Sequence, residues 1–152
     1  MTAATAERTK LRTVTTTATR EQLVGAHPDA LRDIYRASQA SDSTQLGRAR
    51  RGRFFAFEPL APVFVLTRPI VRFASRLQPW GGKDFESGGT SGRNLVWGQP
   101  RWRFRCELAG SEIDGAEALV MRYDGFGHGW PTEELVEELR HTPSGHHLGV
   151  TF

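Results

Sequence analysis

The residues of this 152-residue chain with chemistry to offer are five histidines, one cysteine, a scatter of carboxylates and an unusual set of cations. His128, His146 and His147 follow Asp124 closely enough to suggest imidazole and carboxylate donors for a metal. Their spacing fits no metal motif, and adjacent His146 and His147 on a strand would point to opposite faces. No metal and no cofactor are therefore expected. Asp124 and His128, separated by a glycine-rich turn, could form an acid–base pair at a cavity mouth, because a partly buried carboxylate–imidazole pair titrates near neutrality. That pair would suit an isomerase or cyclase. Cys106 falls on the apolar side of an alternating run, which suits core packing better than a reactive thiolate. One cysteine also excludes an intrachain disulfide and a multi-thiolate metal site. No serine sits in a Gly-x-Ser-x-Gly setting, and Gly88–Gly92 lacks the Gly-Lys-Ser/Thr of a phosphate loop. These observations weigh toward a binding protein rather than an enzyme.

The cations are almost all arginine: 18 of the 20 basic residues, with Lys10 and Lys83 the only lysines. Residues 1–110 carry 18 Lys/Arg against 9 Asp/Glu, and residues 111–152 carry 2 against 8. The run Arg48, Arg50, Arg51 and Arg53, beside Phe54, Phe55 and Phe57, resembles an anionic-surface or nucleic-acid patch with stacking aromatics. Nucleic acid is nevertheless disfavoured, because the acidic C-terminal part can neutralise the other arginine faces within the molecule.

These groups must be held by recognisable elements. Residues 1–18 are threonine-rich, lack a hydrophobic period and read as a disordered tail. Thr19 and Gln22 form a capping box for a short helix over 20–26. Pro28 begins a second helix ending near Ser38, with Leu31, Ile34 and Tyr35 as its apolar stripe. Leu66, Ile70, Phe73 and Leu77 have helical spacing over 63–77. From 79 to 92, glycine and proline clusters read as punctuation. Period two then takes over. Arg101–Leu108 alternates without exception, Asn94–Trp97 and Ala118–Tyr123 are further strands, and Asp114-Gly115 is a hairpin turn. Pro131 opens an expected helix over 131–141, with Leu135, Val136 and Leu139 buried and Glu133, Glu134, Glu137 and Glu138 in solvent. His147–Phe152 is a last strand.

The fold class is α+β: N-terminal helices, then a mainly antiparallel sheet forming a small, partly closed barrel with one inserted helix near the C-terminus. A single domain is expected over 19–152. The longest apolar stretch, Leu60–Leu66, is broken by Pro62 and is far below the ~18 residues that span a bilayer. With no apolar leader either, a cytoplasmic protein is expected.

Ala118–Asp124, Glu134–Arg140 and Leu148–Phe152 together resemble uncharacterised bacterial calycin or lipocalin-like domains related to the GXWXG-associated group. Trp80–Phe85 and Gly92–Val96 fit the upstream part of that pattern. The likeness covers residues 79–152; the GxWxG motif itself is absent, with only Gly127-His-Gly-Trp-Pro131 near it. The resemblance implies a barrel with a ligand cavity and no particular reaction. The expected function is binding of a small apolar or amphipathic molecule, lipid- or polyketide-like. Trp97, Trp102, Phe104, Met121 and Tyr123 would form the apolar wall, and Arg93 or Arg122 would meet a carboxylate.

Overall fold

The computed structural model describes residues 19–24, 26–47, 50–52, 69–70, 73 and 77–152. The expected tail, most of the helix over 63–77, Arg48, Arg53 and the Phe54–Phe57 aromatics lie outside the described residues.

Eight antiparallel strands form one curled half-barrel: β1 (Gln39–Ala40), β2 (Arg50–Arg51), β3 (Trp80–Phe85), β4 (Ser91–Val96), β5 (Gln99–Gly110), β6 (Glu117–Arg122), β7 (Val136–His141) and β8 (His147–Thr151). The path runs β2-β3-β4-β5-β6-β7, with β1 and β8 both pairing with β7. Three helices are short: α1 (Arg20–Val24), α2 (Pro28–Arg36) and α3 (Ser43–Leu46). Thr19 and Gln22 cap α1 reciprocally, each side chain accepting from the other's backbone N–H. His27 caps α2 ahead of Pro28, whose missing N–H would be unsatisfied in a first turn anyway.

Side-chain parity divides the sheet into two faces. The concave face gathers Phe85, Phe104, Cys106, Leu119, Met121 and Tyr123 into one core, with Leu46 from α3. Phe104 is edge-on to Phe85 and to Tyr123, with ring centroids 5.5 and 5.7 Å apart. Gly92 makes this possible: a Cβ there would stand 2.6 Å from Phe104. On the other face, α1 and α2 cover β7 and β8 through Leu23, Leu31, Ile34, Tyr35 and Leu148.

Two expectations are corrected. No helix occupies 131–141: a single 3-10 turn at Thr132–Glu134 leads directly into β7. The spacing of Leu135, Val136 and Leu139 imitates a helical stripe, but β7 is an interior strand with its charged residues buried on both faces. Residues 79–85 are also a strand rather than punctuation. Gly82 holds φ +134 at a bulge, where a Cβ would meet the Arg50 carbonyl at 1.9 Å. Its glycine therefore serves close strand approach, not chain reversal. No helix among the described residues is long and apolar enough to cross a membrane.

Candidate functional site

The concave face holds a cavity of about 630 Å³. Leu23, Met121, Leu135, Leu139 and Leu148 contribute apolar walls, and Trp80 and Trp102 contribute aromatic ones. Arg50 and Arg51, on edge strand β2, line its rim. The described part of the basic run therefore borders the cavity rather than standing apart from it.

At one end lies a cluster of side chains that sequence inspection does not connect. Lys83, from β3, is buried at 7% exposure and still lines the cavity. Its ammonium donates to Asn94 Oδ1 at 2.9 Å, to the Tyr123 hydroxyl at 2.8 Å and to Glu137 Oε2. Trp80 Nε1 also donates to Asn94 Oδ1, at 2.8 Å. Because the indole and the ammonium only donate, the Asn94 oxygen must face them. Its Nδ2 then donates to Tyr123 Oη at 2.7 Å, and the Tyr123 O–H donates to Glu137 Oε2 at 2.8 Å. The ammonium sits 4.9 Å from the centre of the Phe104 ring, a cation–π contact in a desolvated setting.

The register explains the convergence. Lys83 is paired with Asn94 across β3 and β4, and Met121 with Glu137 across β6 and β7. Tyr123 lies two residues beyond Met121 and shares its face. Sheet curvature brings β3 and β7 toward each other across the concavity. Burial lowers the Lys83 pKa below the usual lysine value, and the Glu137 carboxylate opposes that shift. Burial raises the Tyr123 phenol above its ordinary value, and the neighbouring carboxylate adds to the rise. The phenol is thus held protonated. The cluster presents an amine of reduced basicity, a carboxylate and a protonated phenol to one cavity.

The sequence-derived candidates separate by face. Met121 and Trp102 line the cavity; Phe104 and Tyr123 are fully buried in the core beneath it. Trp102 occupies an irregularity in the β4–β5 pairing at φ 42. Trp97 is not part of the wall: it is 81% exposed at the tip of the β4–β5 hairpin. Arg93 and Arg122 are on the convex face, where Arg122 lies 3.8 Å from Glu107, so neither is placed to meet a ligand in the cavity. Arg122 could not share a face with its neighbours Met121 and Tyr123.

Asp124 and His128 are not brought together as an acid–base pair. Asp124 accepts from Arg105 at 2.9 Å on the surface, and His128 Nε2 contacts the Arg103 carbonyl at 2.8 Å. Neither lines the cavity. His146 and His147 do reach its rim. The His147 imidazole is held down to about 4 by desolvation and by His141, Arg50 and His146 nearby. Among the described residues, no group of three or more His, Cys, Asp or Glu is arranged to hold a metal ion. Cys106 donates to the Gly89 carbonyl at 3.0 Å, and burial pushes its thiol up to about 11.

Lys83, Asn94, Glu137 and Trp80 are the residues that sequence reasoning missed. One signal was available: Lys83 is one of two lysines in a chain that otherwise uses arginine. Arginine cannot give up its proton at ordinary pH, whereas lysine does so when buried. No family model matches this chain, and neither a curated protein nor a solved structure is significantly similar to it.

Proposed function

We propose that this protein binds a small apolar or amphipathic molecule in the concavity of its half-barrel, with the polar end of the molecule at Lys83. One observation carries this reading: a cavity of about 630 Å³ with apolar and aromatic walls converges on a single buried polar cluster. That combination of volume, apolar lining and few oriented polar groups is what small-molecule sites require. The polar end is more readily neutral than anionic. Glu137 already neutralises the ammonium, and an incoming carboxylate would set a second negative charge beside it.

The test uses N-phenyl-1-naphthylamine, a neutral apolar dye that fluoresces when desolvated. The full chain should bind it saturably, octan-1-ol and octanal should displace it, and Trp102→Ala should weaken it. A linear, non-saturating signal, or saturable binding that neither compound displaces, would overturn the proposal.

A further inference from the structure

We propose that Lys83 Nζ captures an aldehyde or ketone carbonyl of a cavity-bound molecule as an imine, with Glu137 and Tyr123 handling the protons; this rests on the binding function above. Three observations converge on it. The amine lines a largely apolar cavity, so a carbonyl compound can reach it from within. A carboxylate and a phenol are both in hydrogen-bond contact with the nitrogen, and with each other. The amine is desolvated, which is the environment that frees a lysine for nucleophilic addition. A purely structural cation on this face would be served as well by arginine, the residue this chain uses at 18 of its 20 basic positions.

The reaction balances without any further reagent. The Lys83 ammonium gives one proton to Glu137 Oε2. The freed lone pair adds to the carbonyl carbon, so the C–N bond forms and the carbonyl π bond opens onto oxygen. A proton passes from nitrogen to that oxygen, giving a neutral carbinolamine, and the Tyr123 hydroxyl is placed to relay it. The Glu137 carboxyl then protonates the new hydroxyl, the C–O bond breaks and water leaves. The nitrogen lone pair closes the C=N bond. Ammonium plus carbonyl has become iminium plus water, and Glu137 is a carboxylate again. The positive charge beside Glu137 is the same before and after, so the buried ion pair survives in both states. This charge balance is what a neutral carbonyl offers and an anionic ligand does not.

The composition makes the test simple, because only Lys10 and Lys83 carry side-chain amines. The full chain is incubated with octanal and sodium cyanoborohydride near neutral pH, and alkylated peptides are mapped by mass spectrometry. Lys83 should be alkylated about 100-fold faster than Lys10, in line with the contribution of placed acid–base groups. An excess of octan-1-ol, which has the same chain without the carbonyl, should protect it. Glu137→Gln should keep dye binding and lose labelling by a comparable factor. Lys83→Arg should bind dye and take no label in the cavity. If Glu137→Gln loses dye binding, Tyr123→Phe supplies the second variant, with dye binding kept and labelling slowed. Labelling of Lys83 no faster than Lys10, or unchanged in the Glu137 and Tyr123 variants, overturns the imine while leaving the binding function standing. Failure of the dye, octan-1-ol and octanal to bind at all overturns both.

Discussion

Strand β7 carries a buried polar network on each face, and the two are built from different materials. On the helix-covered face, Arg140 uses all five of its N–H groups. Two go to Asp114, at 2.7 and 2.8 Å, and three go to the carbonyls of Tyr35, Ala116 and Glu117. Beside it, Glu138 accepts from the Tyr35 hydroxyl, the Ser111 hydroxyl and the Glu112 N–H. Backbone groups therefore dominate, and the network ties the β5–β6 loop and the end of α2 to β7. On the cavity face, the bonds among Trp80, Lys83, Asn94, Tyr123 and Glu137 all run between side chains. A network anchored in backbone holds the fold together. One made of side chains can exchange a partner for a ligand without moving a strand.

The largest effect should follow from cutting the backbone-anchored network. Arg140→Met leaves three carbonyls and Asp114 without their donor in a site where the arginine is fully buried. Removing one partner of such a pair typically costs about 3–5 kcal/mol. Urea unfolding should show a loss of that size in the midpoint-derived stability. A loss below about 1 kcal/mol, the scale of an exposed ion pair, would mean the network is not the anchor described.

A smaller effect on the same face is set by pH. Hydrogen bonding to Arg140 holds the Asp114 carboxyl below its ordinary range. A carboxyl with a lowered folded pKa contributes stability above its unfolded value of about 3.9 and loses it as pH falls through the folded value. Stability should therefore decline as the pH drops from about 4. Asp114→Asn should start less stable and show a shallower acid slope. An identical slope in the variant would assign the acid sensitivity to other groups.

How far these two faces are legible in sequence depends on what the period of a strand can report. Arg101–Leu108 and Ala118–Tyr123 alternate because one side meets the core and the other meets water, and both are strands in the structure. Asp114-Gly115 lies in the hairpin loop between them, with Gly115 at φ +71. Met121 and Trp102 were placed among wall candidates by the same parity. Strand β7 escapes this logic because both of its faces are buried and charged residues occupy them. Glu137, Glu138 and Arg140 look like a solvated helix surface until their partners are known, and those partners are 23 to 105 residues away in sequence. Strand β3 escapes it for another reason. Gly81 and Gly82 look like turn residues, whereas Gly82 is required by the approach of the Arg50 carbonyl. The candidate site joins these two misread strands, so its amine and its carboxylate were hidden together.

The smallest stability change should come from the cavity face, and it is the sharpest test of the contrast. Lys83→Met replaces a desolvated ammonium with an apolar chain of similar length. The thioether keeps the contact with the Phe104 ring. Glu137 loses one donor but retains the Tyr123 hydroxyl, and it borders a cavity that water can enter. The gain from no longer burying the ammonium offsets the lost pairing, so the net change should stay within about 1 kcal/mol. The pH dependence carries a separate signature. A lysine whose folded pKa is lowered is a cost at neutral pH, because the unfolded chain binds its proton more readily. That cost is relieved as the pH rises through the folded value toward the unfolded value of about 10.4. The stability difference between wild type and Lys83→Met should therefore shift in favour of wild type as the pH rises through that window. If Lys83→Met is instead as damaging as Arg140→Met, and the difference is flat with pH, the cavity cluster is a structural anchor like its counterpart. Its freedom to exchange a partner for a ligand would then be refuted.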